Sequence, residues 1–116
     1  MSSLQIQYSS SSKCKKYFDT FPNLTPEIYS FSTYTSNNGN YTTVYVLGKN
    51  FLINNTFIKF GNTKIPVSFI SSQNMSFVVQ NFKVGEYKVN AVNLVYYSPQ
   101  YQPATLYSNT IEYTVY

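Results

Sequence analysis

Short runs of alternating apolar and polar residues fill most of the chain, and clusters of Gly, Asn, Ser and Pro separate them. The alternation starts after Pro22. Residues 27–33 (EIYSFST) form a first run and 41–48 (YTTVYVLG) a second, with the turn residues 37–40 (NNGN) between them. A third run, 56–61 (TFIKFG), places Ile58 and Phe60 on one face and ends in the turn signal Gly61-Asn62. Residues 63–71 (TKIPVSFIS) read as a fourth, in which Pro66 marks an edge position or a bulge. In 75–80 (MSFVVQ), Met75, Phe77 and Val79 share a face; in 85–93 (GEYKVNAVN), Tyr87, Val89 and Ala91 do so, opposite Glu86 and Lys88. The last run, 108–116 (SNTIEYTVY), sets Ile111, Tyr113 and Val115 against Thr110, Glu112, Thr114 and Tyr116. About seven short strands with turns between them, and no helical period, predict an all-β fold: an antiparallel β-sandwich.

Residues 1–22 differ from the rest. A short alternation of Leu4, Ile6 and Tyr8 is followed by four serines and the cluster Lys13-Cys14-Lys15-Lys16. This stretch reads as a polar, lysine-containing N-terminal arm ahead of a domain spanning 23–116, either a solvated tail or a segment ordered only against a partner.

Composition agrees with strands. The chain has 116 residues, enough for one domain with a real core. Aromatics make up 19 % (Tyr 13, Phe 9, no Trp) and charged residues only 10 %, so Ser, Thr and Asn supply the polarity and strong helix formers are scarce. The formal charge is +4, and every cation is lysine. Three of the eight lysines sit in the arm, so the body is nearly neutral. An arginine-free, near-neutral body disfavours nucleic acid as a partner. The lone Cys14 excludes an internal disulfide, the N-terminus lacks a signal-peptide pattern, and no apolar run is long enough to insert into a membrane. These features favour an intracellular or virion setting over secretion. Lysine without arginine, abundant Asn, Tyr, Phe and Ile, and only two alanines are the codon bias of a very AT-rich genome, as found in some protists and large DNA viruses.

The order of the punctuating residues is more specific than any one of them. Pro26-x-Ile28 and Phe31-Ser32 open the domain. Gly39 precedes a Thr-Val strand that ends in Gly48-x-Asn50-Phe51. There follow Ile58-Lys59-Phe60-Gly61-Asn62, a Val-Ser-Phe strand, 71–80 (SSQNMSFVVQ), Gly85-x-Tyr87-x-Val89, and Ser108-Asn109 before a strand ending in Tyr-Thr-Val. This series resembles the IPT/TIG family of immunoglobulin-like domains over residues 23–116. Two departures are Gln80, where the family often has proline, and the segment 93–107, longer than the usual last hairpin. The resemblance implies an E-set type immunoglobulin-like sandwich that is not catalytic and acts by docking to other proteins. It also marks Gly48, Asn50, Phe51, Phe60 and Gly61 as fold-determining. Gly48 would let the chain turn, Asn50 would bond the turn backbone, and Phe51 would fold back to plug one end of the core.

The residue supply argues against catalysis. There is no His, the four carboxylates are scattered, the four glycines are turn glycines and no acidic cluster suggests calcium, so neither an enzyme nor a cofactor is expected. Four Asn-x-Ser/Thr sequons, at Asn23, Asn40, Asn54 and Asn74, are what the Asn, Ser and Thr content alone would supply. The stretch 93–109 stands out, with Tyr96, Tyr97, Tyr101 and Tyr107 on a backbone stiffened by Pro99 and Pro103. It reads as an interaction loop, or as a cap over the end of the sandwich. Cys14 among lysines should have a lowered thiol pKa; with Lys13, Lys15 and Lys16 it forms a candidate contact point of the arm, or is an inert thiol in a tail. The leading expectation is a structural or interaction module that docks into a larger assembly, through protein partners or self-association, with a virion component as one setting. The alternative is an extracellular adhesion or glycan-binding domain; a nucleic-acid binder ranks last.

Overall fold

A computed structural model describes residues 23–96 and 102–116. The arm residues Lys13, Cys14, Lys15 and Lys16 and the loop residues Tyr97 and Tyr101 lie outside the described residues. Nine strands are present among those described: β1 (Glu27–Thr35), β2 (Thr42–Lys49), β3 (Thr56–Phe60), β4 (Thr63–Pro66), β5 (Ser68–Ser71), β6 (Asn74–Val79), β7 (Gly85–Val95), β8 (Ala104–Tyr107) and β9 (Ile111–Val115). They build two antiparallel sheets. One has the order β1-β2-β6-β5; the other has β4-β3-β7, with both β8 and β9 on the far side of β7. This is the immunoglobulin order, with an added edge strand on the second sheet.

The count of about seven strands is too low by two, for physical reasons. The run 63–71 is not one strand. It leaves the second sheet at Pro66, which has no N–H to continue a ladder, and resumes as β5 on the first sheet. The stretch 93–109 supplies the end of β7 and all of β8, so the last run begins at Ile111 rather than at Ser108.

β8 and β9 are two halves of one path along β7. Val92 pairs with Tyr107 and Val89 with Ile111, so Asn90 and Ala91 face three residues, Ser108, Asn109 and Thr110. The extra residue is a bulge, and its polar groups are satisfied locally. The Ser108 N–H donates to the Ala91 carbonyl (2.9 Å), the Ser108 hydroxyl accepts from the Ala91 N–H (2.8 Å), and the Asn90 amide donates to Ser108 O and Thr110 Oγ1 (3.0 Å each). The bulge turns the Asn109 side chain toward the other sheet. Its Oδ1 accepts from the Ile28 N–H (2.8 Å) and its Nδ2 donates to the Ile28 carbonyl (2.9 Å), so the amide pairs with β1 as a neighbouring strand would.

Inward positions alternate along the strands and meet between the sheets. Val44, Val46, Met75 and Phe77 come from the first sheet, and Ile58, Phe60, Val89 and Ala91 from the second. The Phe60 ring is the hub of an aromatic cluster, with centroids at 4.6 Å to Phe82, 4.8 Å to Tyr87, 5.5 Å to Tyr113 and 6.3 Å to Phe77. Such tilted and edge-on pairs add about 0.5–1.5 kcal/mol each beyond area burial.

Two inward positions at the corner end are polar, Thr56, in phase with Ile58 and Phe60, and Asn93. Asn93 follows Val89 and Ala91 in phase and is fully buried (0 % exposed). Its Oδ1 accepts from the Thr56 hydroxyl (2.6 Å), and its Nδ2 donates to the Asn50 carbonyl (2.7 Å) and the Leu24 carbonyl (2.8 Å). Thr56 Oγ1 in turn accepts from the Leu52 N–H (2.7 Å). The amide thus ties the entry segment, the β2–β3 connection and two central strands together.

Replacing Asn93 with leucine keeps the branched shape but strands the Thr56 hydroxyl and two carbonyls; urea unfolding should show a loss of roughly 3 kcal/mol. A second test concerns Tyr113, whose burial raises its hydroxyl above the ordinary value of 10.0. The folded state then holds this proton longer than the unfolded chain. Its contribution is complete below pH 10.0 and is lost as pH rises toward the folded value. Melting temperature followed through this range should fall less steeply for Tyr113→Phe than for the natural chain.

Candidate interaction surfaces

The corner after β2 shows how the expected fold-determining residues act. Gly48 does not turn the chain. It is a strand residue of β2 opposite Ile28, and its φ is not among the positive ones. A Cβ there would collide with the Glu27 carbonyl oxygen and lie 2.6 Å from Phe51 Cζ, so glycine is required by close approach. The turn belongs to Asn50, at φ 65°. Its side chain does not bond its own turn, as expected from the sequence, but donates to the Thr25 carbonyl (2.9 Å) and the Asn23 carbonyl (3.3 Å), holding the entry segment. Phe51 is 1 % exposed, and its N–H donates to Ser72 O (2.9 Å). Gly61, at φ +61°, opens the two-residue hairpin between Phe60 and Thr63, a position that favours glycine.

The described tyrosines of the 93–109 stretch are exposed: Tyr96 by 59 % and Tyr107 by 55 %. They do not form one patch. Tyr107 pairs with Val92, so Tyr96 is four residues further along the hairpin, about 13 Å at strand rise. Tyr107 instead shares a shallow cleft with Asn50 and Asn109, beside the corner.

The two outer sheet faces differ in charge. On the second sheet, Lys59 lies opposite Lys64, and Lys88 opposite Glu112. Like charges side by side repel, and Lys64 instead places its ammonium over the Phe57 ring, 4.5 Å from the centroid. On the first sheet, alternation brings outward Ser30, Ser32 and Tyr34 from β1, Thr43, Tyr45 and Leu47 from β2, Ser76 and Val78 from β6, and Ile70 from β5. None is charged. Among the described residues, the only charges bordering this face are Glu27 and Lys49 at one end, which pair with each other at 3.5 Å. Tyr34, Tyr45, Leu47, Ile70 and Val78 are all exposed.

A cleft of about 450 Å³ opens at the opposite end of the sandwich from the corner. Thr33, Thr35, Asn40, Tyr41, Gln80, Asn81, Phe82, Tyr113 and Tyr116 line it, and among the described residues no charged side chain does. Among the described residues, no group of three or more His, Cys, Asp or Glu could hold a metal ion, and no helix is long and apolar enough to cross a membrane.

The family model for the IPT/TIG domain matches residues 26–112, from the proline before β1 into β9. The chain belongs to the IPT/TIG family. Among curated proteins and among solved structures, nothing matches it significantly. IPT/TIG domains are in general non-enzymatic immunoglobulin-like modules that mediate protein–protein interactions. In this IPT/TIG domain, the Ser108-Asn109 pair of the resemblance builds the bulge that clasps β1.

Reading the sequence missed the neutral sheet face, because outward Tyr45 and Leu47 look like any strand residues until their neighbours are known. It also missed Asn93, although a polar residue in phase with Val89 and Ala91 was a visible signal. For the corner, Phe51→Ala should lower stability by about 3–5 kcal/mol. Gly48→Ala should cost about 1–3 kcal/mol or more through overpacking against backbone. Chemical denaturation measures both.

Proposed function

We propose that this IPT/TIG domain is a non-catalytic docking module that seats in a larger protein assembly through the neutral outer face of its β1-β2-β6-β5 sheet. The observation that carries the reading is the segregation of charge. One sheet face holds Lys59, Lys64, Lys88, Glu86 and Glu112, whereas the other exposes Tyr34, Tyr45, Leu47, Ile70 and Val78 with no charge among them. An interface core is depleted in charge and enriched in tyrosine, and desolvating hydroxyls and aliphatic groups costs far less than desolvating lysine. The arm, residues 1–22, would order against the same assembly, with Lys13, Cys14, Lys15 and Lys16 as its contact points. Tyr96, with Tyr97 and Tyr101, would form a second, smaller contact at the hairpin end, apart from Tyr107 beside the corner. The AT-rich codon bias supports a virion of a large DNA virus as the setting.

The cleft favours a second reading, the binding of a neutral glycan. Amides and hydroxyls that both donate and accept match sugar hydroxyls, and the rings of Tyr41, Phe82 and Tyr113 offer apolar faces. A glycan array that stays silent for the natural chain removes this reading.

For the docking reading, the test is the double variant Tyr45→Lys, Leu47→Lys, expressed in the source of the protein. Both side chains are outward and exposed, so the melting temperature should hold while recovery of the protein with its assembly drops by at least about tenfold. Full recovery with the assembly would remove the sheet face from the account.

A further inference from the structure

The sandwich has four edges among the described residues, and three are blunted. β4 is four residues long and carries Lys64 and Pro66; β5 is four residues long and its pairing is bulged; the β8–β9 edge is broken by its own bulge and carries Glu112. Short length, charge, proline and bulges are the devices that keep sheet edges from pairing. β1 is different beyond its start. It is nine residues long and bulged between Ile28 and Ser30, but from Ser30 to Thr35 it pairs regularly and has neither charge nor proline.

The hydrogen-bond phase of this edge is fixed. The Ser36 N–H donates to Tyr41 O (2.9 Å), so Ser36 and, by alternation, Tyr34 and Ser32 turn their polar backbone groups to β2. Phe31, Thr33 and Thr35 therefore present N–H and C=O groups to the outside. Beyond the bulge, the outward groups of Ile28 are taken by the Asn109 side chain. What remains is a window of three residues centred on Thr33.

We infer that β1 pairs antiparallel with β1 of a second copy of this chain across a two-fold axis at Thr33, joining two four-stranded sheets into one of eight. This rests on the reading of the domain as a docking module and names its first partner. Three observations select a second copy. The window is symmetric about Thr33, so Phe31 meets Thr35 of the other copy in both directions and every outward group in it finds a match. The described residues carry five lysines against three glutamates, so two copies repel overall, and meeting at this edge brings none of those charges together. The Asn109 amide ends the window at one side, which fixes the register.

Sedimentation velocity on the full chain, over micromolar to millimolar concentration, is the test. The natural chain should dimerise. Thr33 is exposed, so Thr33→Lys and Thr33→Glu should fold with unchanged melting temperature. Each alone sets like charges against each other at the axis and should raise the dimer Kd by at least about tenfold. An equimolar mixture should restore the dimer. A dimer that neither substitution weakens overturns the proposal, as does a mixture that stays monomeric. A natural chain that is monomeric throughout also overturns it; slow amide exchange at Phe31, Thr33 and Thr35 in that monomer would assign the edge to the chain's own arm. Those results leave the docking reading to the Tyr45→Lys, Leu47→Lys experiment, which reads assembly with other proteins.

Discussion

The buried amide of Asn93 is the constraint on which the rest of the domain depends. A carboxamide in the core is tolerated only if its groups are paired, and here one oxygen and two N–H donors meet Thr56, Asn50 and Leu24 at 2.6–2.8 Å. That pairing fixes the entry segment and the β2–β3 corner to the central strand β7. By comparison, the half-exposed Glu27–Lys49 ion pair nearby contributes about 0–1 kcal/mol. With the corner fixed, Phe51 enters the core and the Glu27 carbonyl passes so close to Gly48 that no side chain fits.

Asn109 repeats the device at the surface. The β8–β9 bulge aims its amide at the backbone of Ile28, so the two sheets are joined at their edges by a side chain that imitates a strand. Both asparagines hold the start of the domain, Asn93 at Leu24 from inside and Asn109 at Ile28 from its rim. The consequence is a division of labour. The corner end is closed by polar bonds, whereas the later part of β1 and the neutral face beside it are left without partners among the described residues. The lysines and glutamates lie mainly on the other sheet, where Lys64 stacks on Phe57 and Lys88 faces Glu112.

Much of the fold was legible. Alternation placed Ile58, Phe60, Met75, Phe77, Val89 and Ala91 inward, and the order of Gly, Asn and Phe landmarks pointed to the family. The missed strands have two causes: local pattern does not report which sheet a strand joins, and the prolines and tyrosines of 93–109 read as a loop although the stretch carries β8. The run 63–71 alternates without interruption, yet the chain changes sheets at Pro66. Gly48 was misread for a related reason. Glycine in a strand and glycine in a turn look alike in sequence, and only the approach of Glu27 and Phe51 separates them. The candidate site was less legible still. Tyrosines dense in sequence, as in 93–109, draw the eye, whereas Tyr34, Tyr45, Leu47 and Val78 come from three separated segments and become a surface only through the β1-β2-β6 pairing.

The central claim is that the molecule meets its assembly through the neutral face and its β1 border, while the asparagine-braced corner is architecture. Amide hydrogen exchange, compared between the isolated chain held dilute enough to be monomeric and the chain within its assembly, addresses this directly. Added protection is expected chiefly along β1 and β2, with a smaller gain at the end of the β7–β8 hairpin around Tyr96. Protection confined to that hairpin, with β1 exchanging as fast in the assembly as alone, would contradict it.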